Sequence, residues 1–409
     1  MPTTRTFTVI RDPLWNNIEV DREALEVLDT EPFQRLRYVR QLGHAFLVYP
    51  GATHSRFEHA LGTYHLARRA LSILAERGEL EAVPEEDLVL VRLAALLHDI
   101  GHYPFSHALE EAGLPSHESL ALRHFAHPEL RAALGRIGVP GIEERLAAFI
   151  RGESGSPLAG LISGSLDLDK IEYLTRDAWM TGVPYGAVDV DRLLHALTLV
   201  PRDDRLQIGI REKGVSALES LLFARYQMYR NVYWHHAVRS ATAMFKRLVS
   251  DAIARDRLDP AWIATATDES LMERIRGLPD PGLAQRLRRR RLYKRLVEIP
   301  GHALPEGVGD WVSLDPDRLR KVEDDLARSF DLPAGSLLLD YPAKPRMLEV
   351  DLPLLTREGT TETLNGPAAA RHLHLPAVAR ELHRGARHAR VFGADDRSIP
   401  PEAFLKILA

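Results

Sequence analysis

Apolar residues recur with helical spacing through most of the first 250 residues. Between residues 57 and 77 they repeat every three or four positions, which predicts an amphipathic helix. Residues 84–100 are apolar almost all round, between an acidic first turn and Gly101, and this pattern predicts a buried helix. The same periodicity predicts further helices over residues 33–42, 166–181 and 216–250.

Strand-like runs are fewer and shorter than the helical ones. Residues 7–20, around an Asp-Pro turn, predict a hairpin, and residues 205–210 predict a strand ahead of the longest helix. Gly and Pro divide residues 108–165 into several short helices.

The pattern changes beyond residue 250. Charged, Pro-punctuated helices are predicted over 251–330, strand-like runs at 337–339 and 347–350, and a last helix over 367–386. This order predicts a mainly α protein. We expect a helical core over residues 1–250 and a smaller α+β lobe over residues 251–409 packed on that core.

Composition narrows the classes of protein. A chain of 409 residues that is 45% hydrophobic can bury a large core. The 53 basic and 57 acidic residues leave a net charge of -4, which does not favour a general nucleic-acid binder. With no cysteine, any metal must be held by His, carboxylate and water. The sequence has neither an apolar run of membrane-spanning length nor an export leader, so we expect a cytoplasmic protein with no membrane partner.

Candidate metal ligands lie on three separate predicted helices. The segment from His54 to His59, the pair His98-Asp99 and Asp169 supply imidazoles and carboxylates that a helical bundle can bring together. A buried helix that ends in such groups is costly unless a cation or phosphate receives them. The alternative is a satisfied His–Asp pair. Composition does not choose among Mn, Fe, Mg and Zn.

Three segments carry a family resemblance. Residues 49–62 (YPGATHSRFEHALG), 97–107 (LHDIGHYPFSH) and 167–177 (DLDKIEYLTRD) resemble the HD-domain deoxynucleoside triphosphate triphosphohydrolases. They are most similar to the branch with the vertebrate SAM-and-HD-domain dNTPase and its bacterial relatives. The likeness runs from about Val9 to Ser240 and implies an HD-domain helical bundle.

The resemblance implies roles for individual residues. It makes His59, His98, Asp99 and Asp169 the ligands of one divalent ion, and leaves a second Mg on the substrate phosphates open. The catalytic residues it implies are Arg56, His102, His107, Glu110 and His117. Among these, His117 is the expected proton donor to the leaving oxygen, held by Glu110. The alternative for His117 is a structural residue at a helix start.

The resemblance also implies a nucleotide pocket. Its expected substrate-binding residues are Gln41, Leu42, Arg56, Lys170, Tyr173, Asp177, Arg225, Tyr233 and Trp234. Asp169, Tyr173 and Asp177 are spaced by four, which predicts one helix face. Asp177 and Gln41 are expected at the sugar 3′-hydroxyl. Leu42 and Tyr233 are expected to crowd the 2′ position, with core packing as the alternative.

The chain departs from the family pattern at the base end. Tyr229 and Trp234 stand where the animal enzyme has His and Gln, so the preferred base is left open. Asp29 and Arg37 match residues that hold an activating nucleotide, but Thr8 departs from that pattern. An N-cap residue and a surface helix charge are the favoured interpretations of Asp29 and Arg37.

One strongly basic run lies at residues 286–295. Leucines at helical spacing favour an amphipathic helix there, over a site for nucleic acid or an activating nucleotide.

The function implied is hydrolysis of dNTPs to deoxynucleoside and inorganic triphosphate by a homo-oligomer, from dimer to hexamer. Two alternatives remain. One is an HD phosphatase or phosphodiesterase acting on a monophosphate, a cyclic nucleotide or a guanosine alarmone. The other is a regulator that senses nucleotides or binds nucleic acid without turnover.

Overall fold

A computed structural model describes residues 7–202, 205–278, 282–305, 307–342, 351–364, 375–395 and 399–408. The first half of the chain is helical apart from two hairpins. Its elements are β1 (Thr8–Asp12), β2 (Asn16–Val20), α1 (Arg22–Leu28), α2 (Glu31–Gln34), α3 (Arg56–Glu76), α4 (Glu85–Leu97), α5 (His117–Phe125), α6 (Pro128–Ile137), α7 (Ile142–Arg151), α8 (Gly160–Ser163), α9 (Leu168–Thr181), α10 (Val190–Ala196), β3 (Leu197–Arg202) and β4 (Arg205–Arg211).

The second half mixes helices with short strands. Its elements are α11 (Val215–Met228), α12 (His236–Ala254), α13 (Pro260–Ile263), α14 (Asp268–Arg276), α15 (Leu283–Arg288), β5 (Lys294–Pro300), α16 (Trp311–Leu314), α17 (Pro316–Ser329), β6 (Leu337–Asp340), β7 (Pro353–Leu355), β8 (Thr361–Thr363), α18 (Leu375–Ala386), β9 (His388–Gly393) and α19 (Pro401–Leu408). The mainly α fold class is confirmed.

The core of the helical part forms around α3, α4, α7 and α9. Helix α4 is buried on nearly all sides from Leu90 to Leu97, as its apolar sequence predicts. Helix α3 turns its apolar stripe to α4 and begins with a capping box, in which Ser55 and Glu58 satisfy each other's backbone N–H groups. These rigid helices deliver the candidate metal ligands.

The strands form three sheets. Strands β1 and β2 make the predicted hairpin, with Thr8 opposite Val20. The second sheet has the order β3-β4-β7-β8, and β7 lies parallel to β4. The third has the order β5-β9-β6, and α12 and α17 pack beside it. The division of the chain near residue 250 stays a prediction.

Three predicted helices are wrong in part, each because a distant segment binds the backbone. The helix over 33–42 stops early, since Arg40 pairs with Ser55 in an isolated bridge. The helix over 216–250 breaks at a π-helical turn, Tyr229–Tyr233, where the hydroxyl of Tyr49 donates to the carbonyl of Asn231. The basic run is not one helix: α15 ends at Arg288, and the chain then enters β5, which pairs with β9.

Other predicted elements agree with the structure. Helices α3 and α9, the strands β4 and β6 and the short helices between residues 108 and 165 lie where they were expected. The run at 347–350 and the start of the helix over 367–386 lie outside the described residues. None of the described helices has both the length and the apolar character needed to cross a membrane.

Candidate metal centre and active site

Four predicted ligands meet where α3, α4 and α9 come together. His59 Nε2 lies 3.0 Å from Asp169 Oδ1 and 3.1 Å from His98 Nε2. Asp99 completes the group, with one carboxylate oxygen 3.5 Å from His59 Nε2 and the other 3.4 Å from His98 Nε2. His59 is fully buried, while the side chain of Asp169 is 31% exposed.

The donor set fits a divalent cation. Three acceptor oxygens and two imidazole nitrogens converge, and the single proton of an Nε2 cannot satisfy all the groups around it. Two imidazoles and two carboxylates are ligands that first-row divalent metals accept. The pocket in front of Asp169 leaves room for water or a substrate oxygen.

Glu172 orients the buried ligand His59 from behind. Its carboxylate lies 2.6 Å from His59 Nδ1 and also accepts from Trp15 and Arg176. A methyl group at Gly62 would lie only 2.0 Å from that carboxylate, so glycine is needed there. Such a partner fixes which ring nitrogen faces a metal. Glu172 is not among the predicted site residues, although it lies three residues after Asp169 in the third segment.

A second cluster of imidazoles surrounds Glu110. One carboxylate oxygen of Glu110 lies 2.8 Å from His117 Nδ1, and the other lies 3.3 Å from His107 Nδ1. The ring of His102 stacks on that of His117 with centroids 3.7 Å apart. Burial, with the guanidinium of Arg56 and the ring of His117 nearby, holds the pKa of His102 well below its usual range. His102 is therefore a neutral ring within this group.

Arg56 connects the two clusters. Its guanidinium contacts Asp99 at 2.5 Å and Ser106 Oγ at 3.1 Å. Burial alone would raise the pKa of Asp99, but Arg56 and the neighbouring imidazoles hold it well below its usual range. Asp99 thus stays a carboxylate beside the candidate cation.

One cavity of about 340 Å³ joins these groups. All but two of the predicted site residues line it: Gln41, Leu42, Arg56, His98, Asp99, His102, His107, His117, Asp169, Lys170, Tyr173, Asp177, Arg225, Tyr233 and Trp234. The two exceptions are His59, which lies beneath the other three predicted metal ligands, and Glu110, which lies behind the imidazoles that surround it. Helix α9 turns Asp169, Tyr173 and Asp177 to the cavity on one face, as their spacing predicts.

Two cations lie beyond the metal ligands, in different settings. The ammonium of Lys170 contacts Asp167, which also caps α9, and the carbonyl of Gly164. Arg225 is buried and forms no ion pair within the described part of the chain. Its Nε has no hydrogen-bond partner there either. A buried guanidinium without a carboxylate is suited to receive an anion.

Asp177 is held by two side chains. His54 Nε2 lies 2.8 Å from one carboxylate oxygen, and the hydroxyl of Tyr233 donates to the other at 2.7 Å. His54 was treated only as part of the first segment, and its contact with Asp177 was missed because the two residues are 123 positions apart.

Comparisons with known proteins agree with this geometry. The HD domain model matches residues 56–161, and the HD associated region model matches residues 188–366. An uncharacterized protein of Methanocaldococcus jannaschii is 36% identical over 361 residues, 86% of this chain and 72% of that protein.

The human deoxynucleoside triphosphate triphosphohydrolase SAMHD1 is 30% identical over 266 residues, 56% of this chain and 42% of the human one. The chain belongs to the HD-domain dNTPase family. The crystal structure of a hypothetical protein from Aquifex aeolicus has a TM-score of 0.73 and 27% identity, and the match covers 95% of this chain and 97% of that one. The family accounts for a divalent metal at the His–Asp cluster.

The cavity has a metal end at the predicted ligands His98, Asp99 and Asp169, and a predicted base end at Tyr229 and Trp234. The two ends are built differently. After the π-helical turn, Trp234 is only 4% exposed and packs against Tyr229, with ring centroids 5.0 Å apart. Leu382 and Ala386 of α18 cover the same aromatic group. Leu42 packs on the core as well as lining the cavity.

The two candidate activator sites also lie outside the cavity. Asp29 is exposed, and Arg37 donates to Gln34 and lies over the ring of Phe57. The basic run instead borders a separate cavity of about 350 Å³, which is lined by the cations Arg290, Lys294 and Arg295 and by the ring of His236.

Proposed function

We propose that this protein hydrolyses dNTPs to deoxynucleoside and inorganic triphosphate. The observation that carries the proposal is one cavity with four kinds of group in its wall. They are three predicted metal ligands, the imidazoles that surround Glu110, two cations and the carboxylate of Asp177. Such a site has places for a reacting phosphate, for its negative charge and for a sugar hydroxyl.

The residues around the reacting phosphate have separate roles in the proposed reaction. His59, His98, Asp99 and Asp169 would hold a divalent cation, which supplies Lewis-acid activation of water and phosphate when bound. His117 gives a proton to the leaving 5′-oxygen, and Glu110 holds its Nδ1 so that Nε2 can reach the substrate. Water attacks the α-phosphate, and the bond between the α-phosphorus and the 5′-oxygen breaks.

Cations hold the triphosphate. Arg225 is buried, has the carboxylate of Asp167 near enough to raise its pKa, and offers a planar fork to two phosphate oxygens. Lys170 adds a point charge that it now shares with Asp167. His107 and Arg56 line the same wall and face the reacting phosphate.

The sugar is recognised at the other end. Asp177 already accepts from His54 and Tyr233, and its remaining lone pairs can accept the 3′-hydroxyl. The side chains of Leu42 and Tyr233 restrict the space beside Asp177, which disfavours a 2′-hydroxyl. Deoxynucleotides should therefore be preferred over ribonucleotides.

Product identity tests the proposal. The protein is incubated with Mn or Mg and each of the four dNTPs, and phosphorus NMR follows the products. We expect tripolyphosphate and deoxynucleoside in equal amounts. Release of single phosphates alone would contradict the triphosphohydrolase assignment and favour the phosphatase alternative. The same assay is repeated with nucleoside monophosphates, cyclic nucleotides and guanosine alarmones as substrates.

We also expect a homo-oligomer, with the requirement for an activating nucleotide left open. The exposed cations Arg290, Lys294 and Arg295 beside a cavity support a site for a polyanion. Light scattering measures the mass with and without added nucleotide. The double variant R290E/K294E should lose any activation by added nucleotide while keeping its metal. Tight, salt-dependent binding of single strands without hydrolysis would favour the regulator alternative.

A further inference from the structure

Two adjacent residues of the second segment have an unusual backbone. Phe105 and Ser106 adopt φ values of 58° and 60°. Residues with a Cβ rarely take this left-handed conformation, and it persists only where surrounding contacts hold it. His107 follows directly and lines the cavity. The direction of His107 therefore depends on whatever holds this turn.

Asp268 supplies the contact that holds the turn. One carboxylate oxygen accepts the N–H of Phe105 at 2.8 Å. The other accepts the N–H of Arg40 at 3.1 Å and lies 3.3 Å from the Arg40 guanidinium. Asp268 is the first residue of α14 and is only 2% exposed. It reaches the site region from more than 160 residues away in the chain.

The two backbone segments bound by Asp268 also contact each other. Ser106 Oγ lies 2.7 Å from the carbonyl oxygen of Arg40 and 2.9 Å from that of Gln41. A Cβ on Gly43 would lie 2.9 Å from the carbonyl oxygen of Phe105, so the approach requires glycine. Gln41 and Leu42 line the cavity from the first segment, and His107 lines it from the second.

We propose that Asp268 is a positioning residue that fastens residues 40–43 and 103–107 together and so sets the relative places of Gln41, Leu42 and His107. It touches no substrate. The proposal rests on the proposed function for its activity assay only.

The proton state of Asp268 decides whether it can do this. Burial raises its pKa to about 6, although the N–H groups of Phe105 and Arg40 pull in the other direction. The charged groups facing it are the guanidinium of Arg40 and that of Arg35, which donates to the carbonyls of Ala266, Ile100 and His102. Its described partners all donate, so a protonated carboxyl would find no acceptor among them.

The sign of the pH effect follows. Because the pKa in the folded protein lies above the ordinary 3.8, ionisation costs folding stability as pH rises through the window between the two values. The ionised form is nevertheless the one that binds both N–H groups. Activity that depends on this contact should therefore fall as pH drops through about 6.

The test replaces Asp268 by its neutral isostere. In Asp268→Asn the amide oxygen can accept only one of the two N–H groups, and the NH2 group faces the other donor. The matched control is Glu323→Gln, another buried carboxylate, which accepts the N–H of Leu339 at 2.9 Å and contacts Arg247 away from the cavity. We expect kcat to fall about 10- to 100-fold in Asp268→Asn. Its metal content and its folded fraction should match those of the wild type.

Two readouts separate positioning from general destabilisation. Hydrogen exchange should show faster exchange in peptides covering residues 40–45 and 103–107 of Asp268→Asn, with α12 unchanged. The wild-type loss of kcat below about pH 6 should be weaker in this variant, because Asn does not titrate. Wild-type kcat with wild-type exchange, or an equal kcat loss in Glu323→Gln, would overturn the proposal.

The hydrogen-exchange measurement does not need the substrate. If no dNTP were hydrolysed, the proposed function would fail while exchange still tested Asp268. If Asp268→Asn did not fold, wild-type protection factors at pH 5 and 7, corrected for intrinsic exchange, would decide. Protection of the Phe105 and Arg40 amides should fall at pH 5, and unchanged protection would overturn the proposal.

Discussion

The metal end and the base end of the cavity are built in opposite ways. The predicted metal ligands lie on α3, at the end of α4 and in the first turn of α9, and Glu172 supports His59 from behind. The base end comes from a π-helical turn and Trp234, covered by α18 from near the end of the chain. The first is a rigid array of charged groups, and the second is an aromatic packing arrangement.

This difference indicates which property of the protein each end of the cavity can control. Under the proposed function, the charged ligands would set whether a reaction occurs, because small displacements of a metal site are costly. The aromatic packing would set which base is accepted, and each such contact contributes little energy. Changes at the metal end should thus abolish activity, and changes at the base end should redirect it.

Removing a metal ligand should have the largest effect. Asp169→Ala is expected to lose bound metal and to lower activity on the order of 10³-fold or more, since a metal contributes several kcal/mol. Metal analysis and tripolyphosphate release measure both. The control Asp191→Ala removes an exposed carboxylate that pairs with Arg69 and should change neither. Full metal content in Asp169→Ala would mean that the coordination set is wrong.

Changing the proposed proton donor, His117, should slow the chemical step without removing the metal. His117→Gln should lower kcat about 10²- to 10⁴-fold with the metal retained, because the leaving oxygen loses its acid. Steady-state kinetics and metal analysis check this. His127→Gln changes a histidine at the start of α6, away from the cavity, and should behave as the wild type. A rise in KM alone for His117→Gln would assign this residue to binding.

Changing Glu172, which lies behind His59, should have a smaller effect than changing a ligand or the proton donor. Glu172→Gln keeps an acceptor for His59 but removes the charge, so metal affinity is expected to fall about 10- to 100-fold. Titration of metal-free protein gives the affinity, and kcat at saturating metal should recover most of its value. The control Glu212→Gln alters a buried glutamate that accepts the N–H of Arg357. Equal metal affinity in both variants would show that Glu172 does not tune the site.

The base end should respond most weakly. Trp234→Phe is expected to change the relative kcat/KM of the four dNTPs by roughly two- to tenfold, the size of one aromatic contact. Metal content and tripolyphosphate release should stay unchanged. Trp262→Phe, whose ring lies under Arg274, is the matched control. A loss of metal in Trp234→Phe would break the division between the two ends.

Much of the metal end could be predicted without coordinates because its residues lie in short segments on helices with clear periodicity. The spacing of four in α9 placed Asp169, Tyr173 and Asp177 on one face, and the structure has them there. The buried character of α4 also followed from its apolar run. The roles assigned to these residues stay predictions.

The contacts that complete the site could not be predicted in this way. His54 meets Asp177 across 123 positions, and Asp268 meets Phe105 across 163. The π-helical turn after Met228 accepts a hydrogen bond from Tyr49, and the basic run enters a strand because β9 pairs with it.

The physical reason is the range of the interactions. Helix periodicity, capping and the local clustering of His and Asp act within a few turns, so the amino-acid order alone predicted α3, α4 and α9 and the candidate ligands. Hydrogen bonds and packing between distant segments depend on how the whole chain closes. The folded arrangement therefore decided the supporting contacts of the ligands, the strained turn before His107 and the shape of the base end.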